Sequence, residues 1–144
     1  MAERTVGDLV AKQNPLFVER GQTVRAAAMA MKERRVGAVA VVENGRLVGM
    51  FTERDVMVRV VADGRDPDST TVEAVMTANP QSMPPTGDIG EALDRMVAGH
   101  FRHMPVVAEG RFVGMLSIRD IPIELRWMRQ NWHAARAVGR RQDQ

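Results

Sequence analysis

Two short stretches of the chain carry the residue types needed to hold a sugar and a phosphate. Thr52 and Asp55 stand three residues apart, as do Ser117 and Asp120, and each pair follows a glycine, Gly49 or Gly114, at the same distance. The copies are 65 residues apart at the glycine and at the acid alike (114 less 49, 120 less 55). A hydroxyl at a helix start lies among backbone N–H groups without intrahelical partners, at the positive end of the helix dipole, which suits an anion such as phosphate. An ionised carboxylate three residues on has acceptor capacity for two vicinal hydroxyls, the diol of a ribose. The same hydroxyl and acid also spell a capping box, worth about 1 kcal/mol to the helix with no ligand present. Both copies keep glycine, hydroxyl, Arg and Asp in register while Glu53 and Ile118 differ, which weighs toward a shared ligand chemistry. Arg54 and Arg119 stand in the first helical turn, where the dipole disfavours cations; a nearby anion or a solvent-facing salt bridge accounts for them.

The elements that must position these residues are also written twice. Val24, Ala27, Ala28 and Met31 recur at helical spacing behind Thr23 as N-cap, and the helix should end near Arg34-Arg35. Ala38 to Val42 is an apolar run of strand length, Asn44-Gly45 a hairpin turn, and Arg46 to Phe51 the return strand. Thr52 then opens a helix through Val56, Met57, Val60 and Val61. After the linker of residues 62–69 the programme restarts. Asp88 caps a helix bearing Ile89, Ala92, Leu93 and Met96, with Glu91 completing a capping box. Met104 to Val107 is the matching strand, Glu109-Gly110 the turn, Arg111 to Leu116 the return, and Ser117 the next helix start. Val6, Leu9 and Val10 before Asn14-Pro15 are answered by Val72, Val75 and Met76 before Asn79-Pro80, and Leu16-Phe17-Val18 is a short strand candidate. Over positions 36–56 against 101–121, nine residues, Val41, Val42, Gly45, Arg46, Val48, Gly49, Met50, Arg54 and Asp55, are identical to their counterparts. The fold class is therefore α/β: two tandem β-α-β-β-α repeats, each a small mixed sheet with two helices, packed around a pseudo-twofold axis. Residues 1–66 are expected to form the first repeat, 67–126 the second, and 127–144 a basic helical tail, with helix from Ile123 to Ala137.

A chain of 144 residues has the size of one ordinary domain, so the repeats must share a core. With aromatics at 4%, that core is aliphatic. No cysteine is present, which excludes disulfides, thiolate metal sites and thiol nucleophiles and agrees with a reducing interior. The charged start and the lack of an apolar spanning run point to a cytoplasmic protein without a membrane segment. His100 and His103 lack an acidic neighbour to complete a metal site, and no nucleophile-base pair stands out, so neither a metal centre nor catalysis is expected. The net charge is only +2, yet Arg126, Arg129, Arg136, Arg140 and Arg141 gather at the end. A solvated helix face explains them better than nucleic-acid binding does.

Gly49-Met50-Phe51-Thr52-Glu53-Arg54-Asp55 and Gly114-Met115-Leu116-Ser117-Ile118-Arg119-Asp120, with Arg102-His103-Met104-Pro105-Val106-Val107, make the chain resemble a tandem pair of CBS domains. This module, named after cystathionine β-synthase, is also called a Bateman module. The resemblance runs from Val6 to about Leu125. It implies a regulatory module that binds AMP, ADP, ATP or S-adenosylmethionine in clefts between the repeats and signals to a partner protein. By the same resemblance Asp55 and Asp120 hold ribose hydroxyls, Thr52 and Ser117 reach ribose or phosphate, and Arg102, His103 and Arg119 face phosphates. Leu16, Met76 and Gln81 are candidates for the adenine slot. Gly37 and Ala38 stand where the second repeat has Arg102 and His103, so the cleft receiving the latter pair should prefer the more highly charged nucleotide. The family's habit of pairing implies a homodimer, for which Val56, Val60, Ile121 and Leu125 offer an apolar face. A structural or dimerisation module, with both acids serving only as caps, is the alternative.

Overall fold

The computed structural model describes residues 4–129 and 131. The first repeat runs α1 (Val6–Val10), β1 (Phe17–Glu19), α2 (Val24–Arg34), β2 (Ala38–Glu43), β3 (Arg46–Thr52) and a helical turn Glu53–Asp55 that continues as a π-helical segment Val56–Val61. We call that turn and the π-helical segment together α3. The second repeat runs α4 (Val72–Val75), β4 (Thr77–Ala78), α5 (Ile89–Gly99), β5 (His103–Ala108), β6 (Arg111–Ser117) and a 3-10 turn Ile118–Asp120. Residues 123–129 and 131 are helical; residue 130 and residues 132–137 of the expected tail helix lie outside the described residues.

Each repeat centres on an antiparallel hairpin, β2–β3 or β5–β6, whose turn needs two successive residues at positive φ. Asn44 (φ 53°) and Gly45 (φ 79°) supply them in the first repeat, Glu109 (φ 53°) and Gly110 (φ 82°) in the second. The two hairpins are not separate sheets. They join edge to edge at Arg46 and Arg111 into one sheet of order β1-β2-β3-β6-β5, with β4 added beside β3. The counterpart of β1 is reduced to a single parallel bridge, Met83 to Val106, because Pro84 and Pro85 follow and have no N–H to extend a ladder.

The helices α2 and α5 form where Thr23 and Asp88 accept from the N–H groups of Ala26 and Glu91 (3.1 and 3.0 Å). The return bond from Glu91 that would complete a capping box is not made among the described residues. Both helices end on a left-handed residue, Arg35 and His100, in register with one another. The short helices change places: α1 of the first repeat packs into the second repeat's core, and α4 into the first repeat's. Val6 and Val10 lie with Ile89, Leu93, Met96, Met104 and Leu116, while Val72 and Val75 lie with Val18, Val24, Met31, Val39 and Phe51. Main-chain bonds repeat the exchange, Val6 N–H to the Gly87 carbonyl (2.9 Å) and Val72 N–H to that of Gln22 (2.8 Å). Burying one such valine is worth roughly 1.5–3 kcal/mol, so each half depends on the other for a complete core.

The two second helices differ. In the first repeat the chain stays helical from Glu53 to Val61. In the second, Pro122 drives Ile121 into an extended conformation (ψ 130°) and stops the helix expected at Ser117 after one turn. The apolar face expected on these helices also shifts: Val60 and Ile121 are 1% exposed and belong to the cores, and Val56 and Leu125 are half-buried beside them. The outward residues are Met57, Val61, Ile123 and Trp127, each more than 60% exposed.

Candidate functional site

A cleft of about 1020 Å³ opens where the two repeats meet. The first repeat contributes the loop Gln13-Asn14-Pro15-Leu16, the end of α2 with Lys32, Arg34 and Arg35, the passage Val36-Gly37-Ala38, and Glu53. From the second come Arg102 and His103 at the start of β5, Met115, and the turn Ser117-Ile118-Arg119-Asp120. Pairing of His103 with Ser117 across β5 and β6 holds the basic residues beside the hydroxyl and the acid. Five cationic side chains (Lys32, Arg34, Arg35, Arg102, Arg119) face this space against two carboxylates (Glu53, Asp120), a surplus of three positive charges. Such a surplus inside a concave surface draws in and concentrates anions.

Within the cleft, Asp120 accepts from the Ser117 N–H through Oδ2 at 2.8 Å, and the Ser117 hydroxyl accepts from the Arg119 N–H at 3.3 Å. Asp120 is exposed, and among the described residues its Oδ1 has no hydrogen-bond partner. His103 is half-buried, and burial, reinforced by the Arg102 cation, holds its pKa below the ordinary 6.5; Arg119 adds to this, while Glu53 and Asp120 pull it back up. Arg34 donates to the Asn14 carbonyl and fastens α2 to the loop at the cleft edge. Gln13 fastens the other side: its amide donates to the Met115 carbonyl (2.9 Å) and accepts from the Met115 N–H (3.1 Å). In the first repeat β4 pairs with β3 at the equivalent place, Thr77 opposite Met50, so one glutamine side chain stands in for a strand. Gly37 leaves room for Glu53, since a Cβ there would lie 3.0 Å from the carboxylate.

The first repeat's copy of the motif lies elsewhere and is filled. Asp55 is 8% exposed. Its Oδ2 accepts from the Thr52 N–H (2.9 Å) and hydroxyl (3.1 Å), and its Oδ1 lies 3.7 Å from Arg59 Nε. Arg59 also donates to the carbonyls of Val75 (3.1 Å) and Met76 (2.9 Å). The Met76 side chain occupies the space over Gly49, where a Cβ would stand 2.2 Å from its sulfur. Gln81 is held by Arg95, whose Nε and terminal nitrogen donate to Oε1 at 3.0 and 2.9 Å.

Of the residues singled out in the sequence, the structure gathers Leu16, Arg102, His103, Ser117, Arg119 and Asp120 around one cleft. Thr52, Asp55, Met76 and Gln81 do not line it. Lys32, Arg34, Arg35, Glu53 and Gln13 do, and one sign of them stood in the chain, a basic run ending α2 just ahead of Gly37. Arg136, Arg140 and Arg141 lie outside the described residues. Arg129 binds Asp94 on α5 at 3.0 Å.

The fold is a tandem pair of like repeats meeting at one cleft, and the chain belongs to the CBS domain family: the family model matches residues 6–62 and again 72–122. Among its relatives, the CBS domain-containing protein CBSCBSPB2 of Arabidopsis thaliana is 40% identical over 117 residues, 81% of this chain but 22% of that protein. The chain thus spans about a fifth of the length of that plant relative. The CBS domain-containing protein YhcV of Bacillus subtilis is 37% identical over 106 residues, 74% of this chain and 75% of YhcV. Among solved structures, the CBS domain protein PAE2072 of Pyrobaculum aerophilum complexed with AMP superposes with a TM-score of 0.74 at 29% identity, covering 81% of this chain and 88% of the other. Among the described residues no helix is long and apolar enough to cross a membrane.

Proposed function

We propose that the chain is a regulatory, non-catalytic CBS pair that takes up an adenosine nucleotide in the cleft at Asp120 and relays its presence to a partner protein in the cytoplasm. The observation that carries this is the convergence, from both repeats, of a partly unpaired carboxylate, a hydroxyl and an excess of cations on one open cleft. Asp120 accepts the ribose diol through its uncommitted oxygen, and Ser117 reaches ribose or the first phosphate. Arg102, Arg119 and, once protonated, His103 face the phosphates, and the base lies toward Leu16. The cationic surplus favours ATP or ADP over AMP, and over S-adenosylmethionine with its sulfonium charge. A relative bound to AMP supports the ligand class. Because Ser117 and Leu16 belong to different repeats, a ligand touching both bears on how the repeats sit together. It acts as a signal to the extent that it binds two arrangements unequally.

The alternative, a structural or dimerisation module, draws on the capping boxes that both acids close. The outward apolar residues Met57, Val61, Ile123 and Trp127 suit pairing with a second copy under either reading. Thermal unfolding with ATP, ADP, AMP and S-adenosylmethionine separates the two. A midpoint that rises with nucleotide concentration, most with ATP, supports the regulatory reading, since a ligand that binds only the native state stabilises it by mass action. No shift with any of the four favours the alternative.

A further inference from the structure

The two motifs are alike in sequence and opposite in circumstance, and two positions account for it. Four residues beyond the acid the first repeat has Arg59 and the second Glu124; two residues beyond, the first has Met57 and the second Pro122. On a continuous helix, i and i+4 share a face, so Arg59 is carried back to Asp55. In the second repeat Pro122 breaks the helix and the i+4 residue is itself acidic, so Asp120 acquires no such cation. Arg59 then reaches past Asp55 to two carbonyls at the end of α4, the helix that enters this half from the other repeat. The sulfur of Met76 closes the space over Gly49.

We infer that the chain holds a single nucleotide, at Asp120, and that the Thr52–Asp55 copy has become a clasp in which Arg59 locks α3 to the exchanged helix α4. The inference rests on the nucleotide reading above and adds its stoichiometry and the residue that sets it. A ligand at Asp55 would have to expel the guanidinium from the carboxylate, free two carbonyls of their donor and displace Met76. Val10 and Gln13 pack over Gly114 as Met76 does over Gly49, but at Asp120 a ligand meets no guanidinium on the carboxylate among the described residues, and Oδ1 is open to it.

Calorimetric titration with ATP, run on the wild type, Asp55→Asn, Arg59→Gln and the double variant, decides the matter when paired with thermal unfolding of the same proteins. The expected result is one ATP per chain in all four, with Kd within about twofold of wild type. The unfolding midpoint falls in each single variant, and falls in the double variant by less than the sum, because the two side chains act on one contact. Arg59→Gln keeps the test usable should Asp55→Asn fail to fold. Two ATP per chain, a loss of about tenfold or more in affinity on changing Asp55, or strictly additive midpoint shifts would overturn the single-site clasp while leaving nucleotide binding intact. A flat wild-type isotherm would instead overturn the nucleotide reading itself, and the single site with it.

Discussion

Replacing Asp120 with Asn separates ligand binding from helix capping, because the two roles draw on different oxygens. The cap uses Oδ2, which accepts from the Ser117 N–H at 2.8 Å. Asn keeps a carbonyl oxygen for that bond and loses only its charge, at an exposed position, so the expected cost in stability is about 0.5–1 kcal/mol. A ribose diol asks more. Two hydroxyls donating to a carboxylate make charge-assisted bonds worth roughly 1.5–3 kcal/mol each, whereas the amide offers at most one neutral acceptor worth about 0.5–1.5. The difference, about 1.5–5.5 kcal/mol, weakens Kd by roughly tenfold to ten-thousandfold. Calorimetric titration with ATP measures the first quantity and urea unfolding the second. Affinity and stability declining by the same small amount would make Asp120 a cap and nothing more.

Three further outcomes rest on the packing and on the histidine. Val72 is fully buried in the exchanged helix α4, so Val72→Ala, which removes two methyl groups and leaves a void, should cost about 2–3 kcal/mol in urea unfolding; a change near zero would mean α4 is not part of the first core. His103 has its pKa held below 6.5, so the folded state binds fewer protons than the unfolded chain between the two values. Stability is therefore full above 6.5 and declines as pH falls through 6.5 toward the lowered folded value, and His103→Gln should flatten that slope in pH-dependent unfolding. A polyanion in the cleft favours protonated His103 against the Arg102 and Arg119 cations, so ATP affinity should rise as pH falls through the same window, and lose that rise in the same variant.

The repeat, the hairpins and the helix starts were legible because each rests on chemistry confined to a few neighbouring residues. Asn44-Gly45 asks for its turn, Thr23 and Asp88 for their caps, and the paired glycine, hydroxyl and acid for a helix start. The exchange of α1 and α4 was not legible. Val6, Leu9 and Val10 announce an apolar face, but spacing says nothing about which of two similar sheets receives it. Val60 and Ile121 went the same way, since an apolar residue on a helix reads alike whether it meets a core or a second copy. The inequality of the two acids was half legible. Pro122 is a helix breaker wherever it stands, and Arg59 at four residues from Asp55 is a pairing position on any helix. The reach of Arg59 to the Val75 and Met76 carbonyls needed the fold, as did the meeting of Lys32, Arg34 and Arg35 with Asp120 across 85 to 88 residues of chain.

A crystal structure of the full chain grown with ATP tests the central claim most directly. One nucleotide per chain is expected, its ribose diol on the Asp120 carboxylate, its phosphates among Arg102, Arg119 and the basic end of α2, and Arg59 still on Asp55. Crystals grown at saturating ATP with nothing bound in that cleft, or with the nucleotide seated at Asp55 instead, would contradict it.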